Sequence, residues 1–213
     1  MNSPAPASRP NPTLLIVLAA IVAAFGLWLG TRYANAPAQP KLASALFYPE
    51  PRAIPEFALR QANGKPLTLA DWRGRWSFVY FGYTTCPDVC PTTLAELKSA
   101  WADLGKRGVQ DKLRVDFVSV DPERDTPDAL ARYVGFFSPD FVAATGTDAE
   151  LTKLTRPLGI VYSRTKKDDG SVEVDHSGSI VIVDPQGRLV GLFRPPFKAK
   201  DLADDMATLA GWR

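Results

Sequence analysis

An α/β domain behind one long apolar helix is the fold class that the sequence predicts, and three observations carry it. Trp76 to Gly82 (WSFVYFG) is a near-continuous apolar run of strand-forming residues, the pattern of a strand buried on both faces. A helical pattern follows from about Pro91 to Lys106, with Leu94, Leu97, Trp101 and Leu104 at 3–4 spacing, and Leu113 to Val120 is a second core strand. Ahead of both, Thr13 to Gly30 is an 18-residue stretch without a charge.

The remaining elements follow in order. As a helix, Thr13–Gly30 spans about 27 Å at about 1.5 Å per residue, close to the roughly 30 Å of a bilayer core. It is too long for the apolar region of a cleaved leader, so it reads as an uncleaved signal anchor. Ala34-Asn35-Ala36 imitates a cleavage site, but Pro37 discourages cutting. Arg9 before the span and Arg32 after it make the positive-inside signal slight. Exporting the large domain past a short tail is the simpler insertion product. Tyr33 to about Arg52 is rich in Ala and Pro and reads as a semi-extended tether. The expected organisation is a tail at 1–12, a transmembrane anchor at 13–30, a linker at 31–53 and a folded domain at 54–213.

Within that domain, Phe57–Gln61 and Pro66–Leu69 read as a hairpin through Asn63-Gly64, which supplies the positive φ a tight turn needs. Thr126-Pro127 opens a helix to about Phe137, with a capping hydroxyl and Pro at the first position. Another helix runs from about Asp148 to Thr155. Ile160–Ser163 and Val172–Val174 flank the polar turn KKDDG. Ser179–Val183 and Arg188–Phe193 form a hairpin through Pro185-Gln186-Gly187, and Lys200–Leu209 is a closing helix. Strand, helix, strand, helix, hairpin and terminal helix is the order of a thioredoxin-like fold, with Phe57–Leu69 as an N-terminal β-hairpin addition.

Composition narrows the chemistry. The 213 residues are 46% hydrophobic and 23% charged, as in an ordinary folded domain. With 25 Lys+Arg against 23 Asp+Glu, a net charge of +2 gives no electrostatic reason to invoke nucleic acid. No internal repeat is present. Two Cys, one His and two Met cannot build a closed four-ligand Cys/His zinc site or a multi-disulfide scaffold. Any Cys/His chemistry must use Cys86, Cys90 and His176.

Cys86-Pro87-Asp88-Val89-Cys90-Pro91 leaves the first core strand and enters the first helix, where open α/β folds place their sites. Pro91 suits the first helical position, which makes Cys90 the expected N-cap, and a thiolate there should have a lowered pKa. The spacing also permits a plain stabilising disulfide, though so short a loop removes little unfolded-state entropy. His176 lies just before the strand Ser179–Val183, in a loop expected to open beside the cysteines; alone, it would read as a solvent-facing loop histidine. Two thiolates and an imidazole make an open S₂N set suited to Cu(I), and also able to hold Cu(II). Asp175 or Asp88 could orient His176 or take a weak axial position, although each also reads as an ordinary turn residue.

Here three motifs converge. Phe81-Gly82-Tyr83-Thr84 before the cysteine segment, Ser119-Val120-Asp121-Pro122-Glu123-Arg124-Asp125-Thr126-Pro127, and Asp175-His176-Ser177 resemble the Sco/SenC family in order and spacing. The resemblance covers roughly residues 50–213. It implies a membrane-anchored copper protein serving cytochrome c oxidase assembly, with one copper per chain held by Cys86, Cys90 and His176. It also implies delivery to, or thiol reduction of, the dinuclear copper site of oxidase subunit II, and an upstream copper donor or thiol reductant. With the anchor, it places a single-pass protein in a bacterial inner membrane with its domain facing the periplasm. The loop Asp121–Pro127 reads as a strand-to-helix connection with its cap.

Three functions compete on these residues. A copper metallochaperone needs ligand exchange and reduced cysteines. A thiol–disulfide oxidoreductase would use Cys86 and Cys90 as attacking and resolving thiols in an order the sequence does not decide, and His176 would be dispensable. A thiol peroxidase is suggested by Val89-Cys90-Pro91-Thr92-Thr93 and the early hairpin, which resemble peroxiredoxins, but Pro87 stands where a Thr is expected. Metallochaperone and reductase share the same atoms, which leaves open whether the chain is also an enzyme.

Overall fold

The computed structural model describes residues 11–34, 39–166 and 172–212. The expected tail up to residue 10, the small-residue site around Asn35 and most of the KKDDG turn lie outside the described residues. The chain divides into two units, Met1–Gln39 and Pro40–Arg213.

In the first unit, α1 spans Pro12–Ala34. Its segment Pro12–Thr31 is long and apolar enough to cross a membrane and has none of its surface buried. Leu14, Ile16, Val22, Phe25 and Leu27 are all exposed, so the helix carries apolar side chains around its circumference.

The second unit is built on an eight-stranded mixed sheet of order β1-β10-β9-β4-β5-β6-β2-β3. Its strands are β1 (Ala45–Ala53), β2 (Ala58–Gln61), β3 (Pro66–Thr68), β4 (Trp76–Gly82), β5 (Leu113–Ser119), β6 (Val142–Thr145), β9 (Ile180–Val183) and β10 (Arg188–Phe193). Strands β4, β5 and β6 are parallel neighbours, and β9 joins β4 antiparallel, which is the thioredoxin-like core. All seven residues of β4 are buried, as its unbroken apolar run requires. The helices are α2 (Val89–Lys106), α3 (Pro127–Phe137), α4 (Asp148–Thr155) and α5 (Ala199–Gly211). Helix α2 packs against α5, and α3 against β6. A separate antiparallel pair, β7 (Tyr162–Lys166) and β8 (Val172–His176), stands apart from the main sheet.

The α3 boundaries are those expected, and Thr126 Oγ1 accepts the Ala129 N–H at 3.2 Å as the cap. The hairpin of β2 and β3 extends the sheet beyond β6, through β2. Two strands went unforeseen. The expected linker to residue 53 is corrected by β1, which pairs antiparallel with β10. Pro49 and Pro51 disguised it. They fall in the register gap between Phe47 and Arg52, and an edge strand tolerates prolines that a central one would not. Gly191 lets β1 approach, since a Cβ there would sit 2.3 Å from the Leu46 carbonyl oxygen. The start of β1 is held by the buried Asp205 carboxylate of α5. It accepts the N–H groups of Ala43, Ser44 and Ala45 at 2.6, 2.8 and 2.9 Å, and the Ser44 hydroxyl at 2.9 Å. The other unforeseen strand, β6, is four residues of small side chains between two helices, too short for a periodic signal.

Candidate metal centre

Strand β4 delivers the cysteine segment. At its end, the Asp125 carboxylate, itself buried, accepts the Thr84 N–H at 3.0 Å, the Thr84 hydroxyl at 2.5 Å and the Ser119 hydroxyl at 2.5 Å. This stitches the start of the cysteine loop to the end of β5. Asp121 pairs with Arg124, whose guanidinium lies 5.8 Å over the Tyr83 ring. The loop Asp121–Pro127 is therefore more than a cap: it buttresses the segment carrying Cys86. No sequence pattern marked Asp125 for this role, because its partners are 41 and 6 residues away.

Helix α2 begins at Val89 with Asp88 as the flanking cap residue, so Cys90 is its second residue and not the expected N-cap. Pro91 fits because the first turn needs no intrahelical N–H donor there. The Cys90 N–H donates toward Cys86 Sγ at 3.4 Å, so the free donor of the helix terminus serves the other cysteine. Cys90 itself is wholly buried, and burial pushes its thiol up to about 12, with the Cys86 hydrogen bond adding to the rise. The expected fall in the Cys90 pKa is thus reversed: desolvation outweighs the helix terminus. Gly82 makes room for the sulfur, since a Cβ there would lie 2.8 Å from Cys90 Sγ.

His176 is the last residue of β8, opposite Tyr162, and not in the expected loop. The adjoining Ser177 fixes it to the start of β7: its N–H donates to the Val161 carbonyl at 2.9 Å, and its hydroxyl accepts the Val161 N–H at 3.1 Å. Tyr80 and Tyr83 present ring edges to the imidazole at 6.1 and 5.9 Å. Nδ1 lies 3.3 Å from the Ser177 carbonyl, which can only accept, so Nδ1 donates there and Nε2 is the unprotonated nitrogen. Nε2 is 3.3 Å from Cys90 Sγ. Burial lowers the His176 pKa, opposed by the Ser177 carbonyl and by Asp175.

Both cysteines are free thiols, and the ligand atoms of Cys86, Cys90 and His176 all lie within 4.8 Å of one another. Bonds of about 2.0–2.3 Å place two ligands of one ion at most about 4.6 Å apart, so small side-chain adjustments close the set on a metal. Among the described residues this is the one group of its kind. It opens to a cavity of about 240 Å³ lined also by Tyr83, Pro87, Val89 and Val174. Asp88 and Asp175 line the cavity too but are exposed and stand outside the three-ligand group.

Comparison with known proteins adds identity to this geometry. The mitochondrial SCO1 homolog of Mus musculus is 36% identical over 152 residues, 71% of this chain and 54% of that one. The chain thus spans about half the length of that relative. A Stutzerimonas stutzeri protein is 35% identical over 160 residues, 75% of this chain and 78% of its own. The structure of Bradyrhizobium japonicum ScoI with copper bound superposes with a TM-score of 0.67 at 34% identity, covering 73% of this chain and 98% of that one. A family model described as SCO1/SenC matches residues 48–211. With the family's fold and three motifs in place, the chain belongs to the SCO1/SenC family.

Proposed function

We propose that the chain is a membrane-anchored copper metallochaperone that assists assembly of the dinuclear copper site of cytochrome c oxidase. One copper ion is its cargo, held by Cys86, Cys90 and His176. The observation that carries this reading is the convergence of two free thiols and one imidazole within 4.8 Å, with the unprotonated Nε2 turned toward Cys90 Sγ. Soft sulfur with one nitrogen suits copper, and three ligands leave a position through which an acceptor's thiolate can enter. The copper-bound Bradyrhizobium structure supports the choice of metal. The acceptor is oxidase subunit II, the upstream partner a copper donor or a thiol reductant, and no nucleic acid is involved. Helix α1 is the single-pass anchor in a bacterial inner membrane, and the domain faces the periplasm.

A second reading is favoured by the two sulfurs lying within 4.8 Å of each other, with the Cys90 N–H aimed at Cys86 Sγ. The same pair would then keep the acceptor cysteines reduced, forming its own disulfide while the acceptor's disulfide opens to two thiols. His176 separates the two readings. In a reconstituted assay with the copper-site domain of subunit II, His176→Ala should abolish copper transfer yet leave reduction of an oxidised acceptor intact. Unimpaired copper transfer by His176→Ala would refute the metallochaperone assignment of that residue.

A further inference from the structure

Tyr80 is wholly buried on β4, and its hydroxyl has no hydrogen-bond partner of good geometry among the described residues. Such an orphan asks for a physical reason. Tyr80 shares a face of β4 with Gly82, two residues on, and Cys90 Sγ packs against that glycine. The Tyr80 ring meets the His176 ring edge-on at 6.1 Å, and His176 Nε2 is 3.3 Å from the same sulfur. The polar side chains that the phenol faces from α2 are Thr93 and Cys90. The phenol thus faces the side chain of one candidate ligand, and its ring packs against that of another.

A protonated thiol is a weak acceptor and leaves the phenol poorly served. A metal-bound thiolate is a charged acceptor and draws the O–H in preference to the neutral Thr93 hydroxyl. We infer that Tyr80 is a positioning residue for the metal centre, its O–H donating to Cys90 Sγ when that sulfur is a ligand and thereby favouring Cu(I) over Cu(II). The inference rests on the copper reading above. A hydrogen bond to a thiolate withdraws electron density from sulfur, and the higher oxidation state, which depends more on that donation, loses more.

Tyr80→Phe keeps the ring and removes only the O–H. The full chain in detergent, reduced and loaded anaerobically with copper ions, is compared with the wild type by Cu(II)/Cu(I) potentiometry and by sulfur-to-Cu(II) charge-transfer absorption. The variant's relative preference for Cu(II) should rise about tenfold, a fall of about 59 mV for a one-electron couple. Its charge-transfer band should move to lower energy. Metal-free Tyr80→Phe should unfold in denaturant at an unchanged or higher midpoint, because no hydrogen bond is lost. An unchanged potential in a folded, copper-loaded variant would overturn the inference while leaving the copper reading standing. A lower metal-free midpoint with no change in potential would mean that the hydroxyl is merely structural. Tyr133→Phe is the control: its hydroxyl is also buried and unpartnered and within the field of both cysteines, but it faces neither sulfur as a hydrogen-bonding neighbour, and its ring packs on Phe117 and Phe137. An equal shift in that variant would overturn the assignment to Tyr80. Absence of copper binding by the wild type would overturn the copper reading and this inference together.

Discussion

Adding one methyl group at Gly82 should damage the metal centre without altering any ligand. The backbone there is ordinary strand, so conformation does not require glycine; space does. A Cβ would lie 2.8 Å from Cys90 Sγ and 2.9 and 3.3 Å from Cε2 and Cζ of Phe117. Ordinary contact begins near 3.4 Å, so the sulfur must retreat by about 0.6 Å or more. Phe117 cannot absorb the strain, being wholly buried between Tyr80 and Tyr133 at centroid distances of 6.1 and 5.6 Å. The displacement therefore falls on the first turn of α2 and on the 3.3 Å approach of Cys90 Sγ to His176. Overpacking of this kind costs about 1–3 kcal/mol of stability. A displaced ligand sulfur should weaken metal binding by about 10–100-fold, the range seen when the support of a ligand is lost. Gly82→Ala would be assayed by denaturant unfolding of the metal-free chain and by competition for Cu(I) against a chelator of known affinity. Wild-type stability and wild-type affinity together would refute the steric argument.

Further predictions address the supports around the centre. Asp125→Ala strands the buried Ser119 hydroxyl and two half-buried Thr84 donors and should cost about 1–3 kcal/mol in denaturant unfolding; a loss below about 0.5 kcal/mol would contradict the buttress. Asp205→Ala should release the start of β1, seen as faster amide exchange at Ala43–Ala45 with the β4 amides still protected; equal protection in both proteins would show the clamp to be idle. Burial lowers the pKa of His176, the only histidine in the chain, so below about pH 6.5 the unfolded state binds a proton that the folded state resists. Metal-free stability should therefore fall as pH drops from about 6.5 toward 5, and His176→Asn should remove that component of the slope. With the Cys90 thiol pushed up to about 12, copper must displace its proton, and apparent affinity should rise at least about tenfold per pH unit between about pH 6 and 8. A pH-independent affinity would contradict coordination by Cys90.

That Cys86, Cys90 and His176 come together was legible in the sequence because they sit at element ends. Cys86 and Cys90 follow an unmistakable buried strand, and His176 precedes another strand of the same sheet. The protonation state of Cys90 was not legible. The helix terminus argued for a low pKa, but the burial that reverses it comes from Gly82, Tyr80 and α2 closing over the sulfur, and spacing carries no record of that. Strand β1 was hidden because prolines at an edge imitate a tether, and only its partners Gly191 and Asp205 reveal the pairing. Asp125 escaped for a related reason: a carboxylate serving donors on two other segments has no local pattern.

The central claim, that Cys86, Cys90 and His176 form one copper centre, is tested most directly by titrating the reduced chain anaerobically with Cu(I) and then Cu(II). One equivalent should bind tightly, with a sulfur-to-Cu(II) charge-transfer band that weakens sharply in His176→Ala and vanishes in Cys86→Ser and Cys90→Ser. Stoichiometric binding that survives either cysteine substitution would contradict the ligand set, and no binding by the wild type would leave the pair as a dithiol.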